Sequence, residues 1–238
     1  MPRVFVPSER LSGERVVLDG EPHRHLVKVL RLQPGSDVHI FDGGGTEIEA
    51  RVLAVGPRTI ELELGPRRAV ALAPVAISLL QAVPKGDRMD LIVQKATELG
   101  VARIVPVLAQ RSVAKPSSSR ARRWQTIAQE AARQSGRADV PEVTDPVPLS
   151  EAVISAPEGA RFVLWEEEHG QSLRRLLDGS AGAISLLVGP EGGFAVQEVV
   201  DARSQGFVPV GLGPRILRVE TAAIVAMALV QAASGGLD

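Results

Sequence analysis

From Val75 to the end of the chain, short apolar strands alternate with helical segments, and this alternation constrains the fold more than any other feature. Strands are expected at 75–80, 104–107, 162–165, 184–188 and 207–210. Helices are expected at 87–99, 122–135, 195–204 and 221–233. Apolar strands separated by helices are typical of a mostly parallel sheet that is covered on both faces. The pattern therefore predicts an α/β fold.

The first 70 residues follow a different pattern. Short strands are expected at 4–6, 15–18, 38–41 and 47–52, with one helix at 23–32. The run of Asp42 and three glycines predicts a turn between the last two strands. A glycine- and proline-containing stretch, 65–74, is the expected linker. We therefore predict a small β-rich domain over 1–72 and an α/β domain over 73–238.

Composition excludes several kinds of chemistry. The chain has no cysteine, so disulfides, iron–sulfur clusters, thiolate metal sites and thiol nucleophiles are all ruled out. His23 and His25 are two positions apart on a predicted helix and would face different ways, so no metal site is expected. No signal peptide is evident, and the longest apolar run, 222–230, is too short to span a membrane. A cytoplasmic protein without membrane contact is expected.

Charge is distributed unevenly along the chain. Residues 81–137 contain 11 basic and 4 acidic residues, whereas 138–238 contain 6 and 14. This asymmetry predicts a basic surface for an anionic partner. The densest part is a serine-rich stretch that leads to Arg120, Arg122, Arg123 and Trp124. Arginine can bind phosphate and tryptophan can stack on a base, but a solvated loop before a helix with a packed Trp124 explains the same residues.

Three motifs follow expected strands, where ligands bind in open α/β sheets. The segment 187–194 carries Gly189, Gly192 and Gly193, which let the backbone approach a ligand closely. The segment 212–222 carries two arginines and a glutamate beside a glycine, and Thr221 there could simply cap the last helix. The segment 81–100 is basic, although its polar residues also fit a solvent-facing helix side. Each motif is compatible with a binding site and with an ordinary turn or surface.

The last helix is apolar on all sides over 222–230. Such a helix must be buried all round. A second subunit is the natural cover for a terminal helix, which predicts a homodimer. A central position in the core of a single chain would explain the same pattern.

Taken together, these motifs resemble the RsmE family, the SPOUT-class methyltransferases that modify N3 of a uridine in small-subunit (16S) ribosomal RNA. The segments that carry the resemblance are 25–32, 81–100, 111–113, Trp124 with 130–137, 187–194 and 212–222. They occur in the right order over nearly the whole chain.

The resemblance implies a fold and partners that spacing alone does not. Residues 1–72 would form a PUA-like RNA-binding domain, and 73–238 a SPOUT methyltransferase domain with a parallel sheet and a trefoil knot. The protein would be a homodimer that binds 16S ribosomal RNA, within the small ribosomal subunit, and uses no metal. S-adenosylmethionine would be the cofactor. The residues implied to bind it are Leu164, Trp165, Glu166, Gly189, Glu191, Gly192, Leu212, Gly213, Ile216, Leu217, Arg218 and Thr221.

The implied reaction is attack of uridine N3 on the sulfonium methyl group, with loss of the N3 proton. We expect Arg218 or Arg111 to stabilise negative charge on the uracil oxygens. Glu220 is expected to position an arginine or to accept the proton. Attack by nitrogen needs no thiolate, which agrees with the absence of cysteine. The residues expected to bind RNA are Arg24, Lys85, Arg88, Arg111, Lys115, Arg120, Arg122 and Arg123.

Two other functions share these motifs. Another SPOUT reaction, such as ribose 2′-O-methylation, would use the same cofactor loops. A non-catalytic RNA-binding factor in ribosome assembly would bind RNA but not S-adenosylmethionine.

Overall fold

The computed structural model describes residues 1–71, 73–112, 116–177 and 182–237. The chain divides into two compact units. The N-terminal unit comprises residues 1–72 together with 129–140, and the C-terminal unit comprises residues 73–128 and 141–238.

The N-terminal unit is built on a five-stranded sheet. Its strands are β1 (Arg3–Phe5), β2 (Arg15–Asp19), β3 (Asp37–Phe41), β4 (Thr46–Val55) and β5 (Thr59–Ala69). The spatial order is β1-β3-β4-β5-β2, and every pair is antiparallel except β1 with β3. Alternate residues along β4 are buried, so one face of the sheet covers an apolar core.

Several details of this unit differ from the sequence prediction. Strand β5 was missed, although 60–64 alternate between apolar and acidic residues, and it includes 65–69, which were predicted to be linker. The turn after Asp42 is confirmed, since the Asp42 carboxylate accepts hydrogen bonds from Gly44 N (2.8 Å) and Thr46 N (2.9 Å). The predicted helix begins earlier, as α1 (Gly20–His23), and continues as a wider π-helical turn over Arg24–Val29.

The C-terminal unit contains a seven-stranded parallel sheet, which confirms the predicted α/β fold. Its strands are β6 (Ile77–Ala82), β7 (Arg103–Leu108), β8 (Glu142–Val143), β9 (Val147–Pro148), β10 (Ala160–Leu164), β11 (Ile184–Val188) and β12 (Val208–Val210). The order is β12-β10-β11-β6-β7-β8, and β9 also pairs with β7. Strands β6 and β11 are buried at every position, as expected for the centre of a covered sheet.

The remaining helices are α2 (Arg88–Glu98), α3 (Ser118–Ser135), α4 (Leu149–Ile154), α5 (Leu173–Leu176), α6 (Val196–Ser204) and α7 (Val219–Ala233). One sheet face packs against α4 and α6, where Leu80, Leu187 and Val199 share a buried cluster. Helices α2 and α7 contact each other, and α7 contacts β11. Leu79 and Leu186, which point to the other face because side chains alternate along a strand, are also buried, so both faces of the sheet are covered.

Two helix starts differ from the predictions. Helix α3 begins at Ser118, four residues before the predicted start, so Arg120, Arg122 and Arg123 lie on a helix. Helix α7 begins at Val219, directly after Arg218. Thr221 is therefore its third residue and cannot cap it, which corrects the capping alternative.

Helix α7 is only partly enclosed by its own unit. One face is buried, including Ala223, Met227 and Val230. The opposite face is half-buried or exposed and carries Ile224, Val225, Ala228, Leu229 and Ala232. The alternative of a helix buried all round within one chain is therefore wrong.

Across the described ranges, no helix combines the length and apolarity needed to cross a membrane. Within the same residues, no cluster of three histidine or acidic side chains is placed to hold a metal ion.

Candidate functional site

The carboxyl ends of β11, β10 and β12 lie side by side at one edge of the parallel sheet. Neighbouring strands are about 4.8 Å apart, so the ends of β11 and β12 are separated by about 10 Å. The segment after β10 contacts the turns on both sides. Gly211 N donates to Gln171 O (2.8 Å), and a Cβ at Gly193 would collide with the Glu166 carboxylate. The two glycine-bearing turns therefore flank one shared segment.

Arg88, the first residue of α2, connects the three sequence motifs. Its Nη1 donates to the Glu191 carboxylate, in the turn after β11. Its Nε lies 3.7 Å from Glu220 Oε2, near the start of α7. Since Arg88 belongs to the motif after β6, one guanidinium bridges all three loops.

Glu191 is held in its charged form. Burial by itself raises the pKa of its carboxyl group, but hydrogen bonds from the N–H groups of Glu191 and Lys85 and from Arg88 outweigh burial. With the positive charge of Arg88, they hold the pKa of Glu191 below its ordinary value. The Lys85 N–H contact is 2.9 Å long. The turn after β11 is thus tied to the start of α2 by a charged contact at neutral pH.

Arg111 lies against the same turn from the loop after β7. Its Nη1 donates to Gly192 O (2.5 Å). A Cβ at Gly192 would lie 3.3 Å from Arg111 Cδ, which is tighter than most real contacts. Glycine at 192 thus lets the arginine side chain lie directly over the backbone.

The loop after β12 projects into open space. Gly213 has φ +107°, a conformation that favours glycine, and a Cβ there would meet no atom within 4 Å. Ile216 is 90 % exposed, the highest exposure of any large apolar side chain in the described ranges. Arg215 and Arg218 are exposed, and no ion pair within the described ranges engages either.

Glu198 was missed by the sequence analysis but organises this edge. Its carboxylate accepts hydrogen bonds from Ala195 N (2.8 Å), just before α6, and from Gln110 N (2.7 Å), after β7. It therefore ties the loop beside Arg111 to the start of α6. An acidic residue at the third position of a helix is a recognised capping signal, and it could have identified Glu198.

Comparisons with known proteins agree with this arrangement. Residues 71–231 match the model of an RNA methyltransferase domain, and residues 18–65 match an RNA methyltransferase PUA domain. The ribosomal RNA small subunit methyltransferase E of Synechocystis is 35% identical over 97% of this chain and 77% of its own. The protein of the same name from Bacillus subtilis is 32% identical over 90% of this chain and 88% of its own.

The chain belongs to the ribosomal RNA small subunit methyltransferase E family. A crystal structure of the family member from Neisseria gonorrhoeae, bound to S-adenosyl methionine, is 36% identical and superposes with a TM-score of 0.89. The matched region covers 98% of this chain and 97% of the Neisseria gonorrhoeae chain. A methyltransferase from Legionella pneumophila, in complex with the cofactor SAM, is 33% identical with a TM-score of 0.88, covering 97% of both chains.

The residues that the resemblance to this family assigned to the cofactor all lie in the C-terminal unit. They lie at the ends of three adjacent strands: Leu164, the last residue of β10, with Trp165 and Glu166 after it; Gly189, Glu191 and Gly192 after β11; Leu212, Gly213, Ile216, Leu217, Arg218 and Thr221 after β12 and into α7. Their environments differ. Leu164 is buried and Trp165 packs against the core, whereas Glu166 and Ile216 are exposed.

The basic residues that were expected to bind RNA differ in whether a carboxylate neutralises them. In the C-terminal unit, Arg88 is paired with Glu191, and Arg123 Nη2 lies 2.7 Å from Asp90 Oδ2. Arg120 lies 3.5 Å from Asp87, while Arg122 has no ion pair among the described residues. Lys85 is exposed, and Lys115 lies outside the described residues. Arg24 belongs to the N-terminal unit and is exposed.

Trp124 is not available to stack on a base. Its side chain is fully buried, and Nε1 donates to Asp90 Oδ1 (3.0 Å). The stacking hypothesis is therefore wrong, and the alternative of a packed Trp124 on a helix is confirmed, because the ring is buried and its N–H is bonded to Asp90 near the start of α2.

Proposed function

We propose that this protein transfers the methyl group of S-adenosylmethionine to N3 of a uridine in 16S ribosomal RNA. The observation that carries the proposal is the position of Arg88. It joins Glu191 and Glu220, so that three motifs far apart in sequence meet at the carboxyl edge of the sheet. Relatives of similar fold are known with this cofactor bound, which supports the same use of this edge here.

The loop after β12 fits a nucleoside-containing cofactor. Among the described residues, no backbone hydrogen bond engages the N–H groups of Gly213, Arg215, Ile216 or Leu217. Unpaired backbone groups beside apolar side chains are what an adenosine moiety needs, since its ring is apolar on its faces and polar at its edge. We therefore assign the cofactor to the residues after β10, β11 and β12 that the sequence analysis named.

S-adenosylmethionine supplies a methyl group on a positively charged sulfur, which needs no further activation by the protein. The protein's task is then to orient the uracil ring and stabilise the charge that develops on it. Arg218 is exposed and without an ion pair, and Arg111 is held over the turn at Gly192. We assign charge stabilisation at the uracil oxygens to these two arginines. The N3 proton leaves to water at this open edge.

Glu220 is better placed to position Arg88 than to accept the proton. Its Oε2 is closed off from solvent and has no hydrogen-bond partner among the described residues. The neighbouring charge is Arg88 Nε at 3.7 Å. A buried carboxylate oxygen beside a guanidinium would orient that cation and, through it, Glu191.

The deciding experiment combines cofactor binding with mapping of the modified nucleotide. The full-length protein is incubated with S-adenosylmethionine and either naked 16S ribosomal RNA or assembled small subunits, and nucleosides are identified by mass spectrometry. We expect calorimetric binding of the cofactor and one N3-methyluridine. A ribose 2′-O-methyl product would instead establish the other SPOUT reaction. RNA binding without heat from the cofactor would establish a non-catalytic factor.

We also propose that the protein is a homodimer whose subunits meet through α7. The support is the apolar face with Ile224, Val225, Ala228 and Leu229, which its own unit leaves partly open. An Ala228→Glu substitution should place a charge in this interface, whereas Val200→Glu on exposed α6 is the matched control. We expect sedimentation to show a monomer for the first variant alone. A dimeric Ala228→Glu protein would exclude this interface.

The remaining features implied by the family are part of the same proposal. They are a trefoil knot within residues 73–238, an RNA-binding role for the PUA-like domain over 1–72, action on the small ribosomal subunit, and a cytoplasmic location. Their support is the match of both units to the family's two domain models.

A further inference from the structure

Exposed basic residues cluster on the N-terminal unit, along and just after its π-helical turn. With two apolar neighbours, this cluster consists of Arg24, Lys28, Val29, Leu30 and Arg31, which we call the basic tip. Here the chain leaves the π-helical turn, in which Leu30 N donates to His25 O (3.0 Å), and Leu32 N then donates to Leu26 O (3.0 Å). Single π turns occur often at functional sites.

The backbone of the basic tip adopts a strained conformation. Arg31 has φ 55°, and no other non-glycine residue in the described ranges has a positive φ. Glycine adopts this conformation without strain, whereas a long side chain does not. Strained backbone of this kind is concentrated at ligand-binding sites, where the surrounding structure maintains it.

The side chains of the basic tip point to solvent. Val29 is 64 % exposed and Leu30 is 38 % exposed, side by side. Arg24, Lys28 and Arg31 are exposed as well, and none of them forms an ion pair within the described part of the chain. Some other surface arginines of the same unit are paired, such as Arg15 with Glu61. Arg58 and Arg68 are exposed without an ion pair among the described residues, but they are not placed beside an exposed apolar pair on a helical segment. The tip therefore combines three uncompensated cations with an exposed apolar pair.

The helical segment that carries the basic tip is anchored by burial and hydrogen bonding. Leu26 is completely buried in the core of the unit. Next to it, Arg133 Nη1 lies 3.1 Å from His25 Nε2, and Arg133 also pairs with Glu130. Since arginine only donates, His25 accepts this bond through an unprotonated Nε2. The helical segment is thus anchored to the unit by the burial of Leu26 and by Arg133.

We propose that the basic tip binds unpaired nucleotides of the RNA substrate, with Arg24, Lys28 and Arg31 at phosphates and Val29 and Leu30 against a base. This inference rests on the proposed function and adds to it a contact surface remote in sequence from the cofactor loops. Three cations without carboxylate partners suit a phosphate backbone. Apolar side chains beside them suit the face of an unstacked base, which is exposed in single-stranded RNA but not in a duplex.

The test compares two double variants of the full-length protein with a matched control. Lys28→Gln/Arg31→Gln removes charge, Val29→Ser/Leu30→Ser removes the apolar pair, and Arg15→Gln/Val17→Ser changes an exposed cation and an exposed valine elsewhere in the unit. Binding to a 16S ribosomal RNA transcript is titrated over a range of salt. Methyl transfer is measured with the same RNA.

The charge variant should bind about tenfold more weakly at low salt, and the slope of log K against log salt should fall by about 1.4 to 1.8, or 0.7 to 0.9 for each lost phosphate contact. The apolar variant should bind about fivefold more weakly with an unchanged slope, since a base contact carries no counterion release. Both should raise KM for RNA and leave kcat and cofactor affinity unchanged. An Arg31→Lys variant, which keeps the charge, should retain the wild-type slope.

Wild-type binding and slope in both double variants would overturn the proposal, and so would equal losses in the control. If the double variants bind RNA as the wild type does but lose binding to anionic lipid vesicles, the basic tip is a membrane-binding surface instead. The proposed function fails separately, if the wild-type protein forms no N3-methyluridine while its RNA binding still depends on the tip. Thermal unfolding of each variant shows whether a loss reflects misfolding.

Discussion

The start of α2 and the loop after β12 both carry arginines, yet these arginines are in opposite electrostatic states. At the start of α2, Arg88 is held by Glu191 and Glu220. Arg123, from α3, is held there by Asp90. In the loop after β12, Arg218 has no carboxylate partner among the described residues and is exposed. A paired arginine fixes the positions of loops, whereas an unpaired one can meet the charge of a substrate.

The largest effect is expected for Arg218, which has no carboxylate partner within the described ranges. Arg218→Ala should lower turnover by about 100-fold or more, the usual cost of removing a group that stabilises developing negative charge. Thermal stability should change little, because Arg218 has no ion pair to lose. Turnover is compared at saturating S-adenosylmethionine, because Arg218 also belongs to the residues assigned to the cofactor. The neighbouring Arg215→Ala is the matched control and should retain most activity. Equal turnover in both variants would remove Arg218 from the mechanism.

A smaller effect, of a different kind, is expected for Arg88. Arg88→Gln removes the contacts to Glu191 and Glu220. The turn after β11 and the start of α7 then lose the charged side chain that contacts both. Affinity for S-adenosylmethionine, measured by calorimetry, should fall about tenfold, which corresponds to about 1.4 kcal/mol. The salt dependence of RNA binding should stay unchanged. If instead the salt slope falls by about 0.7 to 0.9 with cofactor affinity intact, Arg88 contacts a phosphate and the comparison fails.

Two neighbouring arginines of α3 extend the comparison to RNA binding. Arg122 has no ion pair in the described part of the chain, while Arg123 is paired with Asp90 at 2.7 Å. Arg122→Gln should lower the salt slope by about 0.7 to 0.9, and Arg123→Gln should lower it less, since its charge is already partly neutralised. Titration of a 16S ribosomal RNA transcript at several salt concentrations measures both. The reverse order would show that pairing does not predict phosphate contact.

The smallest effect concerns pH. Since the pKa of Glu191 is lowered in the folded protein, the unfolded chain binds the proton more readily. The stability from this contact is therefore present above the ordinary pKa of glutamate, about 4.3, and is lost as pH falls through the lowered value. Denaturant unfolding from pH 6 to pH 3 should show a weaker pH dependence for Glu191→Gln than for the wild type. Identical pH profiles would mean that the Arg88 contact does not stabilise the fold.

Much of the fold could be predicted because its signals are local. Strand β11 matches its predicted bounds, and α2 begins one residue after its predicted start, since a run of apolar residues and a helical period are read from adjacent positions. The early starts of α3 and α7 were missed, because the few residues at 118–121 and at 219–220 are too short to show a helical period. Strand β5 was missed although its alternation is clear, since the proline and glycine at 65–66 indicated a linker.

The sequence was sufficient to predict which segments form the site. It was not sufficient to predict which side chains contact each other there. Glycine at 192 and 213 and arginine at 218 are visible in the sequence as a binding pattern. The burial of Trp124 against Asp90 is not visible, because a charged segment with an aromatic residue looks the same whether the ring packs inward or outward.

Amino-acid order alone determined the α/β alternation, the three glycine-containing motifs, and the absence of thiol chemistry, since each depends on residue type and near neighbours. Which arginine is paired was decided by the tertiary structure. Arg88 and Glu191 are 103 positions apart, and only the parallel sheet brings the loops that carry them to the same edge. Electrostatic interaction depends on distance in space, so a charge acquires its role only when the fold selects its neighbours.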